Sequence, residues 1–142
     1  MKHSLLLAMA GAMLLSGCSS LPRYVPPSAD LPQATVDVSL LPQPSVCVAG
    51  KLYSANKGPD GRISVPATGA RVAIHSFVYI DDYNVSYSCY PGISFRPEEG
   101  AGYTTRVEIE DQKCRLEVYR EGAKNRVGLD LVESIGPPYL CK

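Results

Sequence analysis

Acid–base chemistry in this chain would run through His75, since the other of its two histidines is His3, near the start. His75 lies in the run Arg71-Val72-Ala73-Ile74-His75-Ser76-Phe77-Val78-Tyr79, whose alternation predicts a strand. Val72, Ile74 and Val78 share one face, and His75 falls on the other with Arg71, Phe77 and Tyr79. A general base there needs a nucleophile, yet neither Ser76 nor Ser86 stands in a turn such as GxSxG. The expectation is a strand histidine on a partly exposed face. Paired carboxylates are the second source of chemistry, at Asp81-Asp82 beside Asn84 and at Glu98-Glu99. Adjacent acids can bind calcium or divide acid and base roles, but neither pair has the ligand spacing of a known loop, so solvated turn acids are expected. Asn84-Val85-Ser86 fits a glycosylation sequon and is given almost no weight. No catalytic residue is assigned, no cofactor or metal is expected, and the chain is expected not to be an enzyme.

Recognition chemistry has a clearer source. The chain has nine Tyr, two Phe and no Trp, so most of its large rings carry a hydroxyl that needs water or a partner. Tyr79, Tyr83, Tyr87 and Tyr90 crowd around Asp81 and Asp82, and alternation puts Tyr83, Val85, Tyr87 and Cys89 on one side. Tyrosine offers large contact area at low entropic cost, so these six residues form the candidate partner-binding face. The more economical alternative packs the same rings in a small core, with the hydroxyls at its rim.

Met1, Lys2 and His3 make a basic start, and the apolar run LLLAMAGAMLL of residues 5–15 is broken by Ser16-Gly17, which is the layout of an export signal. The run is shorter than the roughly 20 residues a membrane-spanning helix needs. Leu15-Ser16-Gly17-Cys18 resembles the bacterial lipobox. The resemblance implies removal of residues 1–17, diacylglycerol on the Cys18 thiol, and two or three acyl chains, palmitate among them. That number holds a membrane stably where one chain would not. Ser19 and Ser20 occupy the positions where an acidic residue would retain such a protein in the inner membrane. The resemblance therefore implies the periplasmic face of the outer membrane.

With Cys18 lipidated, Cys47, Cys89, Cys114 and Cys141 remain, an even number in a small exported chain. No two of them make a CxxC, and a zinc cluster would have to be all cysteine at irregular spacing, so two disulfides are expected. Three connectivities are possible. The favoured one joins Cys89 to Cys114 and Cys47 to Cys141.

These residues need elements to position them. At 142 residues, 45% hydrophobic and 20% charged, the chain has room for one modest core. Fourteen basic residues balance fourteen acidic ones, so bulk charge attracts neither nucleic acid nor anionic lipid. Between residues 18 and 44 stand Pro22, Pro26, Pro27, Pro32, Pro42 and Pro44, which predict an extended tether from the lipid to the domain. The alternating stretch Thr35 to Leu40 could instead add an edge strand. Residues 45–142 read as short strands at 46–53, 62–65, 71–79, 83–89, 93–95, 103–110, 114–120 and 126–132, punctuated by Gly and Pro. The predicted fold is all-β, a small disulfide-braced antiparallel sandwich or barrel.

One hairpin is predicted to the residue. With Asp111-Gln112 at its tip, Ile109 faces Cys114, Val107 faces Leu116 and Thr105 faces Val118, while Glu108 meets Arg115 and Arg106 meets Glu117. Both charge pairs come out opposite in sign, worth a few tenths of a kcal/mol each. Asp-Gln is not a favoured type I′ pair, which leaves a longer loop open.

The run Phe95-Arg96-Pro97-Glu98-Glu99-Gly100-Ala101-Gly102-Tyr103, with Cys114-Arg115-Leu116-Glu117-Val118-Tyr119, resembles the second half of small β-rich Gram-negative envelope lipoproteins. That resemblance brings no activity with it. The expected function is a non-catalytic envelope lipoprotein whose β domain binds a protein partner or supports an assembly. The alternative is a periplasmic inhibitor or immunity lipoprotein against a hydrolase or toxin.

Overall fold

The computed structural model describes residues 20–122, 126–139 and 141; Cys18 and the leader lie outside them. In chain order the strands are β1 (Gln33–Asp37), β2 (Pro44–Val48), β3 (Lys51–Ser54), β4 (Arg62–Pro66), β5 (Val72–Ser76), β6 (Val78–Asp82), β7 (Val85–Cys89), β8 (Gly92–Phe95), β9 (Gly102–Glu110), β10 (Lys113–Glu121) and β11 (Leu129–Leu131). They make a five-stranded sheet ordered β11-β10-β9-β1-β4, a four-stranded sheet ordered β3-β2-β5-β8, and a separate β6-β7 ribbon. Every pairing is antiparallel except β1 beside β9, where Thr35 is opposite Gly102 and Asp37 opposite Thr104.

The two larger sheets close face to face over the side chains that alternation sends inward. Ala34, Val36, Ile63, Val65, Tyr103, Leu116 and Val118 come from one sheet, and Val46, Val72, Ile74, Ile93 and Phe95 from the other. Phe95 and Tyr103 meet across the interface with ring centroids 4.8 Å apart, both fully buried. The fold is thus the sandwich of the two architectures the strand pattern allowed.

The tether boundary at residue 45 is corrected. β1 lies between β4 and β9 inside the larger sheet, and Val36, Val38 and Leu41 are all 0% exposed. Tyr24 is buried too, edge-on to Tyr53 at 5.8 Å. The prolines bracket β1 rather than break it: Pro32 precedes it, and Pro44 opens β2, a first strand position, where a missing N–H is tolerated. The stretch considered as an edge strand is therefore an interior one.

Two predicted strands also divide. Residues 46–53 turn back at Ala49-Gly50, both with positive φ (51° and 78°), the two-residue type I′ geometry that matches strand twist. Residues 71–79 break at Phe77, where β5 leaves the sandwich and the ribbon begins. The β9-β10 hairpin keeps every predicted pair. Asp111 and Gln112 form its tip at φ 49° and 62°, so a tight I′ turn forms with neither residue a glycine. Arg106 meets Glu117 at 2.7 Å, and Arg115 bonds Glu108.

Both favoured disulfides form, with Cα separations of 6.0 Å for Cys47–Cys141 and 6.3 Å for Cys89–Cys114. The first secures a C-terminal strap across the outer face of the smaller sheet. There Gly136 exchanges backbone hydrogen bonds with Ser94 (3.0 and 2.8 Å), Arg71 donates to the Ser134 carbonyl (2.8 Å), and the Tyr139 hydroxyl donates to the Arg71 carbonyl (2.8 Å).

Candidate functional site

The four candidate residues Tyr79, Asp81, Asp82 and Tyr83 lie on the β6-β7 ribbon and are all exposed. Its register sets Tyr79 opposite Ser88, Ile80 opposite Tyr87, Asp81 opposite Ser86 and Asp82 opposite Val85. Strand alternation then gives the ribbon two faces. One carries Tyr79 and Asp81 with two serines; the other carries Ile80 and Val85 beside Tyr87. Tyr83 stands at the tip, 97% exposed, where the Asp82 carboxylate accepts a hydrogen bond from its backbone N–H (2.7 Å). Core packing is thereby excluded for Tyr79 and Tyr83.

An isolated two-stranded ribbon is marginal in water, so something must hold this one. Tyr87 and Cys89 do so. The Tyr87 hydroxyl donates to the Gln112 carbonyl at the tip of the β9-β10 hairpin, and Cys89 is covalently joined to Cys114 on the same hairpin. Both ribbons leave the sandwich at one end. β9 runs parallel to β1 and continues past Asp37 from Thr105 to Glu110, while the β6-β7 ribbon departs where β5 ends at Ser76, beside Pro44. Two neighbouring hairpins laced together make a stiff support, and a stiff support lowers the ordering cost of recognition.

Tyr90, the sixth candidate, belongs to the base rather than the display. Its ring stacks on His75 at 5.2 Å with planes 9° apart, and its hydroxyl hydrogen-bonds Ser45 Oγ at 2.8 Å. His75 is consequently buried at 8% exposure, a correction to the partly exposed face expected of it. Gly92 leaves the room beneath: a Cβ there would come 2.4 Å from His75 Nδ1. Burial holds the imidazole below its ordinary pKa of 6.5, and Nε2 has no hydrogen-bond partner among the described residues. Neither serine considered as its nucleophile joins it. Ser76 donates to the Pro42 carbonyl at 2.5 Å, and Ser86 lies out on the ribbon. Glu98 pairs with Arg120 at 2.9 Å. Among the described residues no three His, Cys, Asp or Glu side chains cluster as metal ligands.

Sequence reasoning missed four exposed apolar residues near this site. Ile80 and Val85 belong to the ribbon; alternation groups Val85 with Tyr83, Tyr87 and Cys89, but Tyr83 sits in the turn and it is Ile80 that shares the face of Val85 and Tyr87. Leu21 and Phe77 line a cleft of about 490 Å³ at the ribbon's base, together with Tyr90. The prolines assign Leu21 to the tether, and alternation makes Phe77 one residue of an unbroken strand. No family model, curated protein or solved structure matches the chain.

Proposed function

We propose that this chain is an exported lipoprotein, held at the periplasmic face of the outer membrane by acyl chains on Cys18, and that its β domain is a binding module rather than an enzyme. The surface that binds a protein partner is the β6-β7 ribbon. One observation carries this reading: Tyr79, Ile80, Tyr83 and Val85 are 58, 42, 97 and 64% exposed on a ribbon that a disulfide braces from outside the core. Scattered apolar residues are ordinary on a surface, but here Ile80 and Val85 share one face of a braced ribbon, Tyr79 lies on the other and Tyr83 at the tip, with Asp81 and Asp82 beside them, so the projecting end offers aromatic and aliphatic contact area edged by carboxylates. The lipobox resemblance of residues 15–18 supports the anchor.

The test is site-specific photocrosslinking in intact cells. A photoreactive residue at position 83 should give one discrete protein adduct, and one at position 68, in the turn after β4, should give none. A position 83 that crosslinks no more than position 68 counts against the ribbon as the binding surface.

A further inference from the structure

The folded domain starts almost at the proposed anchor. The Pro22 carbonyl accepts a hydrogen bond from the Ser54 N–H (2.9 Å), Tyr24 N–H donates to the Ser54 carbonyl (3.0 Å), and Arg23 bridges Ser54 between them. Pro22 is four residues beyond Cys18. Fully extended, four residues span at most about 14 Å. The headgroup layer on each side of a bilayer takes up roughly 5–7 Å of that, the difference between a total thickness of about 40–45 Å and a core of about 30 Å. Under roughly 10 Å of slack remains, so a lipidated Cys18 keeps this end of the domain within about 10 Å of the headgroup layer.

The surface at that point suits the contact. Ser20 and Leu21 lie in the cleft with Phe77, Tyr90, Asn56 and Lys57. Leu21, Phe77 and Tyr90 are 46, 38 and 50% exposed, and Asn56 and Lys57 are exposed beside them. Leu21 and Phe77 are wholly apolar, Tyr90 keeps its hydroxyl on Ser45 Oγ while half its surface stays open, and the Lys57 ammonium, which donates to the Ser39 carbonyl (2.9 Å), puts a cation at the rim; apolar side chains with an aromatic and a cation beside them suit headgroup depth.

We propose, resting on the lipoprotein reading above, that this end of the sandwich seats in the headgroup layer of the leaflet holding the acyl chains, with Leu21, Phe77 and Tyr90 in contact with lipid. The domain is then not displayed on a tether. The base of the β6-β7 ribbon lies at the membrane surface, and the ribbon meets its partner there.

The chain has no tryptophan, so Phe77→Trp installs a single reporter. The full-length acylated protein is placed in vesicles of phosphatidylethanolamine and phosphatidylglycerol, either plain or with brominated acyl chains. Emission of the Phe77→Trp protein should fall in the brominated vesicles. Thr68→Trp is the control: Thr68 lies beside Val48 at the far end of β2, whose first residue Pro44 lines the cleft, and its emission should not change. Leu21→Trp, outside every strand, provides the same readout if Phe77→Trp disturbs the sandwich. Intact mass of each sample reports the acyl chains. Acylated protein in which neither reporter is quenched, or in which all three are quenched alike, overturns the seat and spares the anchor. A mass without acyl chains on Cys18 overturns both.

Discussion

Tyr87 on the β6-β7 ribbon donates its hydroxyl proton to the carbonyl of Gln112 on a different hairpin, and its oxygen lies 3.3 Å from the sulfur of Cys114. That contact and the adjacent Cys89–Cys114 bond are what turn two projecting hairpins into one support.

Replacing both Cys89 and Cys114 by Ala should therefore loosen the ribbon before it loosens the sandwich. A loop of 25 residues is worth about 3.5 kcal/mol when its closure constrains global unfolding. Here the measured loss should be smaller, because the ribbon can open while the core stays closed. Hydrogen exchange is the check: amide protection should drop across residues 78–89 and persist at 72–76 and 103–105. Equal loss everywhere would show that the bond braces the core instead.

The corrected domain boundary has a direct consequence. A chain beginning at residue 45 lacks β1, which is bonded on both edges, and also lacks Val38 and Leu41, so it should not fold; one beginning at residue 20 should. Within the longer chain, Leu41→Ala should cost about 2–5 kcal/mol, the usual range for a buried leucine. Chemical denaturation of the three proteins measures this. A cooperative transition for the chain starting at 45 would return residues 18–44 to the role of a tether.

His75 sets a pH dependence. Its folded pKa lies below 6.5 because burial under Tyr90 disfavours the imidazolium, so the folded state binds fewer protons than the unfolded chain once pH falls below that value. The stability this neutral imidazole permits is complete above pH 6.5 and is lost as pH drops through the folded pKa. Asp37 and Glu117 are also depressed; burial opposes that shift in both, but hydrogen bonds and neighbouring cations outweigh it, and their losses begin only around pH 4.5 and below. Melting temperature should therefore fall between pH 6.5 and 4.5, and a His75→Gln protein should be flatter over that window. Parallel slopes for the two proteins would remove His75 as the cause.

What could be read from the residues was local. The β9-β10 register follows from three pairs that share one face and two charge pairs on the other, and the two disulfides from an even count of thiols, three of them on predicted strands. What could not be read was non-local. The parallel partner of β1 lies some 67 residues away, at Gly102 to Thr104, and nothing in Gln33 to Asp37 encodes it. Six prolines outweighed three buried side chains. The burial of His75 is non-local too: its ring stacks on Tyr90 and fills the space that the missing side chain of Gly92 leaves, neither of them a neighbour in sequence. The exposure of the tyrosines was one of two open readings, and only the departure of the ribbon at Phe77 decides it.

The most direct measurement pairs a thermal melt with partner capture for Tyr83→Ala, with Tyr103→Ala as the comparison. Tyr83 is 97% exposed and Tyr103 is 1% exposed, packed on Phe95. Tyr83→Ala should melt where the unsubstituted domain melts and lose capture from crosslinked membranes, by about 2 kcal/mol or more as an anchor of the interface. Tyr103→Ala should instead lose about 3–5 kcal/mol of stability. Undiminished capture by Tyr83→Ala at an unchanged melting temperature would contradict the ribbon as the binding surface.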